Sequence, residues 1–280
     1  MPDRTAAAIT IRAKPVYLLA FHHRPGTSDR MLLQHQTWQE VETYLRHSNG
    51  IILPIGSTEQ HGPNGLIGTD ALCAEFIARG VGETASAMVG PTIGVGIAVH
   101  HMGFAGSMTV RPSTLIAIIH DYVLSLARHG FRRFFFINGH GGNIATVQAA
   151  FSEIYAAYEG ALGKALDQEL RCRLANWWDG KVMHELGKEV FGDDEGSHAT
   201  ASEVALTQFA FPESIKQATL DPLRAPSGRF HGPADYRRRF PDGRIGSNPG
   251  LATPEKGKRF YEAAVPELAK AYAGFIGENA

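Results

Sequence analysis

Apolar residues along this chain fall into two alternating kinds of run. Short strand-like stretches occur at Met88–Ile93 and Arg173–Trp178, and near-continuous apolar ones at Ile51-Ile52-Leu53-Pro54-Ile55 and Phe134-Phe135-Phe136-Ile137. Their length and continuous hydrophobicity predict strands buried on both faces. Longer segments between them place apolar residues three and four apart, the period of a helix with one buried face. Leu115, Ile118, Ile119, Tyr122, Val123 and Leu126 form one such stripe, with Ser113 as its expected cap and His129-Gly130 at its end. Ile144, Val147, Phe151, Ile154 and Tyr158 form a second. Further helices are expected from Asp70 to about Ala87 and from about Pro254 to Ala273. Strand and helix in alternation predict an α/β protein, a three-layer α/β/α sandwich on a mostly parallel sheet. No repeat of solenoid length interrupts the pattern.

Residues 1–29 read as an N-terminal extension and 30–280 as a single α/β domain, a length such folds reach. Between about Asp221 and Pro249 the composition shifts to Pro, Gly and Arg. The run Arg237-Arg238-Arg239 there reads as a solvated surface or a subunit contact.

Charge removes several classes of partner. With 27 basic and 28 acidic side chains the formal net charge is −1, which suggests neither nucleic acid nor an anionic membrane. Cys73 and Cys172 lack metal-type spacing and read as small apolar residues in a reducing compartment. Met1 to Lys14 lacks the apolar core of a secretion signal, and no segment has the length of a membrane span. Cytoplasmic residence is the expectation by elimination.

The chemistry concentrates where predicted strands end, the position at which open α/β sheets keep their sites. The first run leads into Gly56-Ser57-Thr58-Glu59-Gln60-His61-Gly62-Pro63, then Thr69-Asp70. Glu59 and His61, two apart, point to one side of an extended segment. Carboxylate oxygen with imidazole nitrogen suits a divalent metal such as Zn, Mn or Fe. The third run ends in Asn138-Gly139-His140-Gly141-Gly142-Asn143, with Asn143 as a plausible helix cap. Such a glycine-rich turn either permits close backbone approach or cradles a phosphate. Farther on, Asp193-Asp194-Glu195-Gly196-Ser197-His198 runs into a predicted helix carrying Glu203.

These segments together resemble the creatininase (creatinine amidohydrolase) family. The shared features, in order, are the Glu59-Gln60-His61-Gly62-Pro63 stretch with Asp70, the turn from Asn138 to Asn143, and His198 with Glu203 five positions on. Ser247-Asn248-Pro249 and Ala252-Thr253-Pro254-Glu255-Lys256-Gly257 resemble the family's C-terminal signature. The resemblance implies a hydrolase of carbon–nitrogen bonds in cyclic amides or formamides, using one or two divalent ions per subunit. It also implies a homo-oligomer, in this family commonly a ring and often a hexamer. Glu59, His61, Asp70 and His140 match metal-binding positions.

Two departures bear on the substrate. Creatininases carry a Glu ligand where this chain has Gly142, which resembles the deformylase-like and peptidase-like branches. Glu203 is then the expected replacement ligand. The family often has His where this chain has Asn64, which can hydrogen-bond a substrate but cannot shuttle a proton. A small-molecule substrate other than creatinine is therefore expected.

The expected mechanism is attack by a metal-generated hydroxide, since bound metal lowers the pKa of water to about 7. Asp70 is expected to bridge two ions, with Glu59 and His140 on one and His61 and Glu203 on the other. His198 is expected to protonate the leaving nitrogen, and Glu203, if not a ligand, to act as general base. Asn64, His101, Trp178, Gly141 and Gly142 are expected to line the substrate pocket. Two other readings stay open: a peptide-maturation peptidase, or a non-catalytic metal or phosphate binder on the same fold.

Overall fold

A computed structural model of the chain describes residues 29–162 and 169–278. The N-terminal extension expected over 1–29 lies, but for Asp29, outside the described residues. Helix α1 (Trp38–Leu45) opens on a capping box between Thr37 and Glu40. There follow β1 (Gly50–Ile55), α2 (Thr69–Ala85), β2 (Met88–Val89), α3 (Pro112–Arg128), β3 (Arg133–Asn138), α4 (Ile144–Leu162) and β4 (Arg171–Asn176). The chain closes with α5 (Lys181–Val190), α6 (Ala201–Ala210), α7 (Gly232–Arg239) and α8 (Pro254–Gly277).

The four strands form a parallel sheet in the order β2-β1-β3-β4. Because the side-chain period is two, each strand feeds both faces. Ile52, Phe135 and Ile137 pack with Ile77 of α2, Ala205 of α6 and Phe260 of α8. Ile51, Leu53, Phe134 and Phe136 pack on the other side with Leu115 and Val123 of α3 and Val147 of α4. The three layers expected from the sequence are thus formed. Phe135 is fully buried and meets Tyr272 and Phe275 of α8 with its ring. Phe135→Ala is expected to cost about 3–5 kcal/mol, read as a lower urea midpoint at unchanged slope. An unchanged midpoint would contradict this packing.

Several boundaries differ from the sequence expectation. The second strand stops at Val89, because Pro91 has no amide to donate; beyond it only an isolated bridge joins Ile55 to Ile93. Ser113 does not cap α3: Pro112 occupies the first turn and Arg111 is the cap residue. The Arg237-Arg238-Arg239 run is the last turn of α7, where Arg238 and Arg239 pair with Asp235 and Arg237 lies over the Phe104 ring.

Placement of the site follows from the register. β1 and β3 are neighbours, with Ile55 opposite Asn138, so their two loops leave the sheet side by side. β4 ends beside them, and Trp177 and Trp178 follow it. The start of α2 passes close to both loops. A Cβ on Gly139 would stand 2.0 Å from the Asp70 carbonyl oxygen, so only glycine lets the β3 turn lie against Asp70.

Candidate metal centre and its cavity

Asn143 binds the loops together. Its Nδ2 donates to the Gly56 carbonyl (3.0 Å) and to Asn138 Oδ1 (3.3 Å), and its Oδ1 accepts from the Ile97 amide (3.0 Å). It lies in a short 3-10 turn before α4 and does not cap that helix, which corrects the expectation for this residue. Asn138 in turn accepts from the His140 amide and donates to the His140 carbonyl, fixing the backbone that carries the imidazole.

Glu59, His61, Asp70 and His140 converge on this scaffold, all nearly or wholly buried. The His61 Nδ1 lies 3.0 Å from the Glu59 carbonyl oxygen, which assigns the proton there and leaves Nε2 facing inward. That Nε2 is 2.9 Å from Asp70 Oδ1 and 3.7 Å from Glu203 Oε1. His140 sits on the other side of the same carboxylate, with Nδ1 3.0 Å from Asp70 Oδ2. Its Nε2 is 2.9 Å from the Ile97 carbonyl oxygen and 3.3 Å from Glu59 Oε2. Ser57 Oγ donates to Glu59 Oε2 at 2.8 Å.

Electrostatics follow from one carboxylate lying between two imidazoles. Burial alone opposes charge on all of them. Burial pulls the His61 imidazole down, but the Asp70 and Glu203 carboxylates together outweigh it and hold its pKa at about 10. For His140 burial is likewise outweighed by Asp70, by charge and hydrogen bonding, and the result is about 9. Burial pushes Asp70 up, yet the two imidazoles bring it well below the usual carboxylate range. Burial, then the nearby Asp70 charge, pushes Glu59 up. Glu203 is pushed up to about 7 by burial, against the pull of His61.

The donor set fits a divalent cation. Glu59 Oε1, His61 Nε2 and Asp70 Oδ2 are buried without a well-formed hydrogen bond, although each lies at ion-pair distance from a partner. Short distance with poor alignment is what donors aimed at a common point produce. Three groups offer atoms close enough to share an ion: Glu59 with Asp70 and His140, His61 with His198 and Glu203, and Glu59 with His101 and His198.

Glu203 has a second duty. Thr200 caps α6, and the Thr200 amide donates to Glu203 Oε1 at 2.5 Å, a reciprocal capping box. His198 is tied through Nε2 to the Gln60 carbonyl oxygen at 2.9 Å, with Nδ1 3.9 Å from Glu59 Oε1. Burial holds its pKa well below the ordinary value, so the ring is neutral.

A cavity of about 1150 Å³ opens over this cluster. Asp70, His140, His198 and Glu203 reach it, as do Gly141 and Trp178 from the expected pocket set. Trp177, Met183 and Phe260 add an apolar wall, and Lys188 and Arg224 stand at its lining too. Glu195, held by Ser202 of α6, also faces it. Three expected pocket residues do not line it. His101 is buried behind Glu59, with Nε2 2.9 Å from Glu59 Oε1. Asn64 turns away and donates to the Pro249 carbonyl. Gly142 is absent from the lining as well; a Cβ on it would stand 2.4 Å from His140 Nε2 and 2.5 Å from the Ile97 oxygen.

Sequence reasoning passed over Gln60, Trp177 and Glu195 as working residues. Gln60 was adjacent to both expected ligands in the first motif, and Trp177 was next to Trp178; only the folded contacts give either a task.

Comparison with known proteins agrees with this site. The family model Creatininase (creatinine amidohydrolase) matches residues 34–272. The creatinine amidohydrolase of Pseudomonas putida is 26% identical over 253 residues, 84% of this chain and 93% of that protein. A mycofactocin precursor peptide peptidase of Mycobacterium tuberculosis is 34% identical over 113 residues, 37% of this chain and 45% of that one. Among solved structures, "Creatininase Mn" superposes with a TM-score of 0.76 at 24% identity, covering 89% of this chain and 99% of that one. The chain belongs to the creatininase family.

Proposed function

We propose that the protein is a divalent-metal-dependent hydrolase of a carbon–nitrogen bond in an amide or formamide other than creatinine. The observation that carries this reading is the Asp70 carboxylate held between His61 and His140 on the floor of a cavity, beside buried donors that lack aligned partners. Glu59, Asp70 and His140 would hold one ion. His61, Asp70 and Glu203 would hold a second, Glu203 with the same carboxylate that completes its cap. Zn, Mn or Fe suits these donors. When bound, such a cation polarises a carbonyl and lowers the pKa of water to about 7.

The chain's own residues supply the remaining steps. His198 is neutral at rest, so it first accepts the proton of the attacking water and then delivers it to the leaving nitrogen. Its fixed Nε2 contact leaves Nδ1 for that transfer. Backbone help to a developing oxyanion falls to Gly141, which lines the cavity, because the Gly139 amide is given to Ile55 and the His140 amide to Asn138. Trp177, Trp178, Met183 and Phe260 exclude water along one wall.

Substrate size favours a second form of the same reading. A cavity of about 1150 Å³ is larger than a single small ring requires, and part of the chain resembles a peptide peptidase. The test is a mass-spectrometric screen of Mn- and Zn-loaded protein against cyclic amides, formamides and short peptides. Release of an amine, formate or shortened peptide, lost in His198→Ala, is the expected result. No turnover of any class by fully loaded protein would contradict it.

Gly142 carries a separate prediction. An added side chain there would push on His140 and on the Ile97 carbonyl that holds it. Gly142→Glu is therefore expected to weaken Mn²⁺ binding about 10–100-fold, as loss of an outer contact does, rather than supply a missing acid. Calorimetric titration checks this; tighter binding would contradict it.

A further inference from the structure

Gln60 occupies a buried position where four segments of the chain meet. Its Oε1 accepts from the Gly62 amide at 2.9 Å, and its Nε2 donates to the Gly243 carbonyl at 3.0 Å. Reversing the amide would set oxygen against oxygen at Gly243 and N–H against N–H at Gly62, so the network assigns its orientation. The same Nε2 stands 2.9 Å from His101 Nδ1. His198 Nε2 stands 2.9 Å from the amide nitrogen as well, but that ring N–H is turned to the Gln60 carbonyl, so the second amide N–H is left for His101 Nδ1, which accepts. A neutral His101 then carries its proton on Nε2, which stands 2.9 Å from Glu59 Oε1. The other Glu59 oxygen is taken by Ser57 Oγ. His101 is 1% exposed, and Tyr236 packs edge-on against its ring with centroids 4.9 Å apart. Tyr236 also donates to the Gly243 carbonyl at 2.8 Å, so ring and amide are braced by one group.

We propose that Gln60 and His101 form a positioning relay for the metal centre: Gln60 sets the His101 tautomer, and the His101 Nε2–H, 2.9 Å from Glu59 Oε1 but out of line with it, restrains that carboxylate where a divalent cation would take it. The inference rests on the metal-hydrolase reading and assigns to His101 a task inside the protein in place of contact with substrate. Hydrogen-bonded partners of this kind fix a ligand's orientation and its basicity, and their loss typically weakens metal binding about 10–100-fold. The relay links residues from the first motif, the loop after β2 and the segment beyond α7, so the C-terminal part of the chain takes part in shaping the centre.

The test is Co²⁺ titration of metal-stripped protein, reading both affinity and the visible absorption band, for wild type, His101→Leu and His101→Gln. Leu fills the space without a donor, whereas the Gln amide N–H reaches close to where the imidazole Nε2 stood. Leu is expected to bind Co²⁺ about 10–100-fold more weakly with an altered band, and Gln to recover most of both. Circular dichroism of the stripped proteins checks the fold. Should the Leu variant not fold, Gln60→Met removes the same constraint one step back and is expected to weaken binding in the same direction. Wild-type affinity and band in His101→Leu, or in Gln60→Met if that is the folded variant, would overturn the relay while leaving the metal reading intact. Failure of the wild type itself to bind Co²⁺ would overturn both.

Discussion

Asp70→Asn is expected to strip the protein of metal at every position at once. The substitution keeps the shape of the side chain and removes the one charge that lies within 3.0 Å of both His61 and His140. An amide offers one oxygen to a cation where the carboxylate offers two, and no charge. Affinity should fall by more than the roughly 10–100-fold that loss of an outer partner costs, with turnover falling alongside it. The variant separates Asp70 from its neighbours: Glu59 and His140 remain, as do His61 and Glu203, yet neither set retains its shared member. Metal analysis after gel filtration reads the result directly. Retention of stoichiometric metal by Asp70→Asn would remove Asp70 from the centre and would leave the two imidazoles without a reason to be where they are.

The second large effect is on the pH dependence of stability in protein stripped of metal. His61 and His140 have pKa values raised to about 10 and about 9 by Asp70 and its neighbours, against an ordinary value of 6.5. A base whose folded pKa is raised binds its proton more tightly when folded, so it stabilises fully below pH 6.5. That stabilisation is lost as pH rises through the folded values. Stability of the stripped protein should therefore fall between about pH 7 and pH 10. Glu203, raised to about 7, acts in the same sense but earlier, between its ordinary 4.5 and 7. His101 is lowered to about 2 by burial, and His198 is also lowered; both add stability as pH rises towards 6.5 and nothing above it. Between about pH 7 and 9 the fall thus belongs to the two imidazoles that flank Asp70; above pH 9 the Cys73 and Cys172 thiols, pushed up by burial, act in the same sense. Bound metal competes with those protons, so loaded protein should hold its stability across the window. Urea midpoints at intervals from pH 7 to 10, with and without Mn²⁺, test this. A flat profile for the stripped protein would contradict the arrangement.

Much of this was legible in the sequence because the strands are unambiguous. Runs such as Phe134–Ile137 sit between turn signals, and the polar residues just beyond them fall where a parallel sheet places its site. Glu59, His61 and His140 lie just past strand ends, and the resemblance to the family joined Asp70 to them as a ligand set. What could not be read was which side chains meet from distant segments. Asn143 has the chemistry of a helix cap, but its Oδ1 accepts from the Ile97 amide, 46 positions away. His101 looked like a loop histidine at a pocket mouth, but Tyr236 and Gln60 draw it behind Glu59. Asn64 is claimed by Pro249. Glu203 shows the opposite case: Thr200-Ala201-Ser202-Glu203 carries the spacing of a capping box, yet the same carboxylate reaches His61. One residue serving both helix and site is invisible to any argument that assigns each residue a single role.

The most direct test of the central claim is the metal content per subunit of protein purified without added metal, by plasma mass spectrometry, with His140→Ala beside it. The arrangement of Glu59, His61, Asp70 and His140 predicts near-stoichiometric Zn, Mn or Fe in the wild type, lost from the variant. Wild-type protein that carries no such metal and takes up none from excess ion would contradict it.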